Sequence, residues 1–146
     1  MTTIYVTRDT PLPSRRPNEF YPTERSLIKA ALEAYSYTDP VDFILDPGAG
    51  DGRWGQAAKT LYPEANLTGV ELRPTHYPLD FDLWLGAKSF LDFGFPGVYY
   101  DLIIGNPPYG PKVEGRPLAE HFIRIGFNLL APGGRMIYLL PLQLQA

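Results

Sequence analysis

The sequence predicts an α/β domain: a mostly parallel sheet flanked by helices. Three observations carry this. Short apolar runs recur near residues 41–45, 65–72, 83–87, 100–104 and 135–140, each bounded by turn residues. Helix-period stripes lie between several of them. A glycine-rich bend joins the first run to a helix, as strand–turn–helix units require. The 146 residues suit one domain, with 45% hydrophobic and 20% charged side chains in the range of ordinary globular chains.

Residues 1–19 hold three prolines and no sustained periodicity, so they read as an irregular N-terminal arm, with residues 20–146 forming the core. Thr23 is placed to cap a first helix, whose apolar face is Leu27, Ile28, Ala31, Leu32 and Tyr35 and which Asp39-Pro40 stops. Val41 to Leu45 is a buried strand. After the glycine bend a helix runs to about Leu61 with Trp54, Ala57, Ala58 and Leu61 inward. Ala65 to Leu72 is the second strand, parallel to the first. The stretch from Arg73 to Asp82 is too short and too rich in proline for a good crossover helix. Leu83 to Ala87 is the third strand and Tyr100 to Ile104 the fourth. The loop Gly110 to Arg116 is expected to move. Pro117 opens a helix with Leu118, Phe122, Ile125 and Leu129 on one face. Pro132-Gly133-Gly134 is a turn before a fifth strand, Arg135 to Leu140. The expected order is 3-2-1-4-5.

Several function classes are excluded. There is no cysteine, hence no disulfide, thiolate metal site or thiol nucleophile. His76 and His121 have no metal-ligand spacing, and no metal is expected. No apolar run reaches about 18 residues and no signal peptide is visible, so no membrane partner is expected and the cytoplasm is the expected location. The net charge of −3 argues against tight nucleic-acid binding by bulk charge, leaving only Arg8, Arg15, Arg16, Lys112, Arg116 and Arg124 as candidates for a local basic patch.

Two segments carry chemistry. In Asp46-Pro-Gly-Ala-Gly-Asp-Gly-Arg-Trp-Gly55, Gly48, Gly50 and Gly52 alternate ahead of a helix, and glycine lets a ligand approach backbone amides closely. Gly50, Gly52 and Gly55 also have G-x-G-x-x-G spacing, which alone is a weak signal. Glu71, at the end of the next strand, is placed to accept hydrogen bonds from both hydroxyls of a ribose. Asp46 disfavours a pyrophosphate and suits a cationic ligand such as a sulfonium, which favours S-adenosylmethionine over NAD. The second segment, Asn106-Pro107-Pro108-Tyr109, is a rigid corner at the end of a strand. The Asn106 oxygen and the Pro107 carbonyl can both accept from one NH₂ group, and Tyr109 offers a face for stacking. Positioning then carries the rate without a strong general base.

With these motifs the chain resembles the class I S-adenosylmethionine-dependent amino-methyltransferases, especially bacterial N6-adenine DNA methyltransferases of the restriction–modification kind. Leu45 to Gly52, Gly69-Val-Glu-Leu72, Asn106 to Tyr109, Glu19 to Thr23, and Leu130 to Arg135 carry the likeness, over about residues 18–142. The resemblance implies a Rossmann-like fold, S-adenosyl-L-methionine as cofactor and DNA as partner. It implies that Asp46, Gly48, Ala49 and Gly50 line the methionine and ribose pocket, that Glu71 binds the ribose, and that Leu72 packs on the cofactor adenine. Phe20, Tyr21, Pro22 and Thr23 are expected to touch the methionine end. The family's acidic residue before a phenylalanine is here Ser89-Phe90, leaving Ser89, the Phe90 amide or Asp92 as the adenine contact. Cytosine N4, RNA and protein glutamine remain alternative targets, and a non-catalytic cofactor-binding subunit is a rival reading. The fold is truncated relative to seven strands, so Met136 to Leu140 is expected to be an exposed apolar edge that a missing region, a partner or a second copy covers.

Overall fold

The computed structural model describes residues 2–6, 23–35, 39–73, 78–110 and 112–141. They contain β1 (Thr2–Val6), α1 (Arg25–Ala34), β2 (Phe43–Asp46), α2 (Arg53–Leu61), β3 (Asn66–Glu71) and β4 (Leu83–Gly86). There follow β5 (Tyr100–Gly105), a small hairpin of β6 (Lys112–Val113) and β7 (Arg116–Pro117), α3 (Leu118–Asn128) and β8 (Leu130–Pro141). Six strands form one sheet in the order β1-β8-β5-β2-β3-β4, and every pairing in it is parallel. The five strands expected from the sequence stand in the expected order.

Side chains alternate between the two faces, as the two-residue period of a strand dictates. On one face Ile44, Leu102, Ile104, Ile137 and Leu139 pack with Ile28 and Leu32 of α1 and Trp54 and Ala58 of α2. On the other, Leu45, Ile103, Met136 and Tyr138 pack with Ala119 and Phe122 of α3. Asp101 ties two strand starts together, its Oδ2 accepting from the amides of Asp42 at 2.8 Å and Phe43 at 3.0 Å.

Several local expectations are corrected. The arm is not irregular throughout: Thr2–Val6 is a strand, and it pairs with β8 along Ile137–Pro141. The fifth strand is therefore not the sheet edge. Thr23 does not cap α1. Glu24 holds that place without a side-chain hydrogen bond, and Thr23 is turned inward and buried. The helix ends at Ala34, ahead of Asp39-Pro40, and leaves Tyr35 exposed. Leu61 is also exposed, at the last position of α2. Pro117 stands just before α3 as its cap. The turn at Pro132–Gly134 is an irregularity inside β8. Tyr100 pairs with Leu130 and Leu102 with Arg135, so the extra residues bulge out between two in-register stretches.

Within the loop after Tyr109, residues 112–117 form the β6–β7 hairpin, with Glu114 and Gly115 both at positive φ in its two-residue turn. The His121 ring meets the Val113 carbonyl at 2.7 Å and holds the hairpin to α3. Between β3 and β4 the described residues contain no helix. Phe81 takes over the packing instead. It is buried, meets Trp84 edge-on at 4.9 Å, and fills the space over Gly55 and Gly69. A β-carbon at Gly55 would collide with Phe81 and Leu67, so this glycine serves helix–sheet packing and not a ligand. Among the described residues no helix is long and apolar enough to cross a membrane.

Candidate functional site

The carboxyl ends of four parallel strands converge. β2 ends at Asp46, β3 at Glu71, β4 runs into Lys88 to Phe90, and β5 ends just before Asn106. The chain leaves β2 toward β3 on one side while β5 lies on the other, and that divergence opens a crevice at the strand ends. The crevice is a cavity of about 380 Å³, within the usual size of small-molecule sites.

One wall is the glycine bend: Gly48, Ala49 and Gly50 line the cavity, with Trp54 behind them. The opposite wall carries Asn106 and Pro108, backed by Phe122 of α3. A β-carbon on Gly48 would lie 3.4 Å from Phe122 and 3.8 Å from Pro108, so the bend and the corner are in near contact around the cavity. Glu71 and Leu72 close a third side with Ser89 and Phe90.

Asp46 does not line the cavity; it lies wholly buried beneath it. Gly105, at φ +145°, makes room: a β-carbon there would stand 2.8 Å from Asp46 Oδ1. Neither Asp46 oxygen has a hydrogen-bond partner among the described residues. Burial pushes its carboxyl well above the usual range. The Gly48 amide opposes this without reaching full hydrogen-bond geometry, and the charges of Glu71 and Asp51 add to the rise. The buried Tyr138 hydroxyl is likewise pushed up by burial, with the Asp46 charge adding to it.

Glu71 is nearly buried and only partly available, because Arg73 Nε donates to its Oε2 at 2.8 Å. Ser89 lines the cavity, but its Oγ accepts from the Leu91 amide at 3.2 Å, capping the short helical turn Phe90–Asp92. Asp92 is exposed and does not line the cavity. Pro107 is buried and Tyr109 half-buried, and neither lines the cavity. The Tyr109 hydroxyl donates to Asn106 Oδ1 at 2.8 Å. Phe20, Tyr21 and Pro22 lie outside the described residues. Thr23 does line the cavity, and its Oγ1 accepts from Asn106 Nδ2 at 3.2 Å and from Trp54 Nε1 at 3.4 Å.

Sequence reading misses several groups of the lining, Lys88, Phe122 and Val113 among them. Lys88 lines the cavity beside Ser89, and its ammonium has no partner among the described residues. Phe122 reads as core and also forms cavity wall. Val113 reaches the cavity because of the hairpin, and Glu114-Gly115 between two short runs is the available hairpin signal. No group of ionisable side chains able to hold a metal occurs among the described residues.

No protein-family model matches the sequence. A Type II methyltransferase of Thermus thermophilus, M.TthHB8I, is 32% identical over 83 residues, 56% of this chain and 19% of that protein. TrmN from Thermus thermophilus shares 25% identity at a TM-score of 0.59, over 83% of this chain and 39% of its own. The plantazolicin methyltransferase BpumL, solved with S-adenosylhomocysteine, shares 18% at 0.55, over 80% and 44%. Coclaurine N-methyltransferase shares 15% at 0.54, over 77% and 33%. The chain thus spans less than half the length of each of these four proteins. It has the class I S-adenosylmethionine-dependent methyltransferase fold.

Proposed function

We propose that this chain carries the cofactor-binding and transfer site of an S-adenosyl-L-methionine-dependent methyltransferase acting on an exocyclic amino group, N6 of adenine in DNA first among targets. The observation that carries the reading is that Gly48 and Asn106 line one cavity. The residues present fit the cofactor: a glycine bend open to a ligand, a ribose-facing Glu71, and a buried, unpartnered Asp46 beneath. When bound, that cofactor supplies an electrophilic methyl on a sulfonium sulfur.

The chain's own residues do the rest. Glu71, through the oxygen not tied to Arg73, accepts from ribose hydroxyls. Asn106 Oδ1 and the Pro107 carbonyl accept hydrogen bonds from the two N–H groups of the incoming NH₂, which turns its lone pair toward the cavity. Tyr109 leaves Asn106 and stacks on the extruded base. After transfer the nitrogen is cationic and sheds one proton to solvent. Trp54, Phe90 and Phe122 exclude water from the path.

The relative named a Type II methyltransferase supports methyl transfer, and the choice of DNA rests on the likeness carried by Asn106 to Tyr109. The net charge of −3 means that further basic surface must hold the duplex. The test is transfer of labelled methyl from the cofactor to duplex DNA, RNA and a glutamine-bearing protein in parallel. DNA labelled at adenine N6 is the expected result. Label in RNA or protein alone moves the substrate assignment. Failure to bind S-adenosylhomocysteine removes the reading.

A further inference from the structure

We propose that Thr23 is a positioning residue that fixes which way the Asn106 amide faces. This rests on the methyl-transfer reading above and goes beyond it.

A side-chain amide has two ends of nearly equal shape and opposite hydrogen-bonding character. Turned over, Asn106 would present NH₂ to a substrate NH₂, donor against donor, and no amine could be held. Something must choose the orientation. Asn106 Nδ2 donates to Thr23 Oγ1 at 3.2 Å, which leaves Oδ1 as the end presented away from Thr23, and this hold persists when Tyr109, whose hydroxyl donates to Oδ1 at 2.8 Å, leaves for the base.

Thr23 itself is held three ways, and two of the holds come from the helix after the glycine bend. Trp54 Nε1 donates to the same hydroxyl at 3.4 Å, and an indole N–H can only donate, so the Thr23 oxygen must accept there. Arg53 Nη1 donates to the Thr23 carbonyl at 2.8 Å. Arg53 is anchored in turn on Asp51, within the bend, at 2.6 Å. Thr23 is also only 5% exposed, so its side chain is held in one place by its surroundings. The bend that receives the cofactor and the amide that receives the amine are thus joined through one side chain.

The experiment compares Thr23→Val, Thr23→Ala and Thr23→Ser with the unaltered chain. In Thr23→Val, kcat at saturating cofactor should fall about 10- to 100-fold, while the Kd for S-adenosylhomocysteine stays within about threefold. Thr23→Ala should do the same, and covers the case in which valine does not fold. Thr23→Ser keeps the acceptor and should restore most of kcat. A readout independent of turnover is the nitrogen-15 spectrum. The Asn106 side-chain NH₂ and Trp54 indole resonances should shift in Thr23→Val and return in Thr23→Ser. Wild-type kcat in Thr23→Val, or a loss cured by more cofactor, overturns the proposal, because Thr23 would then be only a cofactor contact. Failure of serine to rescue overturns it too. An unaltered chain that binds cofactor but methylates nothing overturns the functional reading first, and this inference with it.

Discussion

The Tyr109 hydroxyl donates to Asn106 Oδ1 at 2.8 Å, occupying the oxygen assigned to the substrate amine. The ring is therefore folded back on the corner that it would serve. Tyr109→Phe removes the competing donor and keeps the stacking face. It should retain transfer and lower the KM for the nucleic acid. Tyr109→Ala removes the face, worth about 1–3 kcal/mol per stacked base, and should lower kcat/KM about 5- to 150-fold. Steady-state kinetics on a methylatable duplex check both.

The glycines of the bend divide by what surrounds them. Gly55→Ala drives a β-carbon into Phe81 and Leu67, and should cost about 1–3 kcal/mol of stability, as overpacking does. Gly48→Ala has room for its methyl beside Phe122 and Pro108. It should leave stability within about 0.5 kcal/mol and instead weaken S-adenosylhomocysteine. Urea unfolding and calorimetric titration of the two variants separate packing from binding.

Asp46 predicts a pH effect of definite sign. Its folded pKa is raised well above 3.8 by burial, so the unfolded chain gives up this proton first as pH rises. The stability held below the unfolded value is lost as pH climbs toward the raised folded value. Asp82 works the other way. The Leu67 amide, then Lys59, hold it below its usual range, so its contribution is lost as pH falls. Subtracting Asp46→Asn from the unaltered chain isolates the first effect. The variant should be relatively more stable at pH 7 than at pH 4, by urea midpoint.

Glu71 and Arg73 give the fourth test. Glu71→Gln should weaken S-adenosylhomocysteine about 10- to 100-fold, in keeping with charged hydrogen bonds of about 1.5–3 kcal/mol. Arg73→Ala frees Oε2 and should strengthen binding or leave it unchanged. A loss in Arg73→Ala comparable to that in Glu71→Gln would show that the pair acts as one unit.

The order of the five central strands is legible because apolar runs and the glycine bend are local signals with local causes. The ends of elements are not, since the competing partner lies far along the chain. Thr23 looks like a cap until Trp54 and Asn106, 31 and 83 residues away, claim its hydroxyl. Ser89 looks like a ligand contact alone, and its oxygen also accepts from the Leu91 amide two residues on. Asp46 reads as pocket wall, and only the close approach of Gly105 shows that it lies beneath. The strand at Thr2–Val6 is hidden because its hydrogen bonds go to β8, at the other end of the described sequence.

That last pairing has a consequence for how the molecule is made. Thr2 stands opposite Ile137, so during vectorial synthesis β1 emerges long before its neighbour exists. It must wait while β2, β3, β4 and β5 assemble, and it bears the loop-closure entropy of nearly the whole described length. Its docking belongs at the close of folding, once β8 is seated on β5.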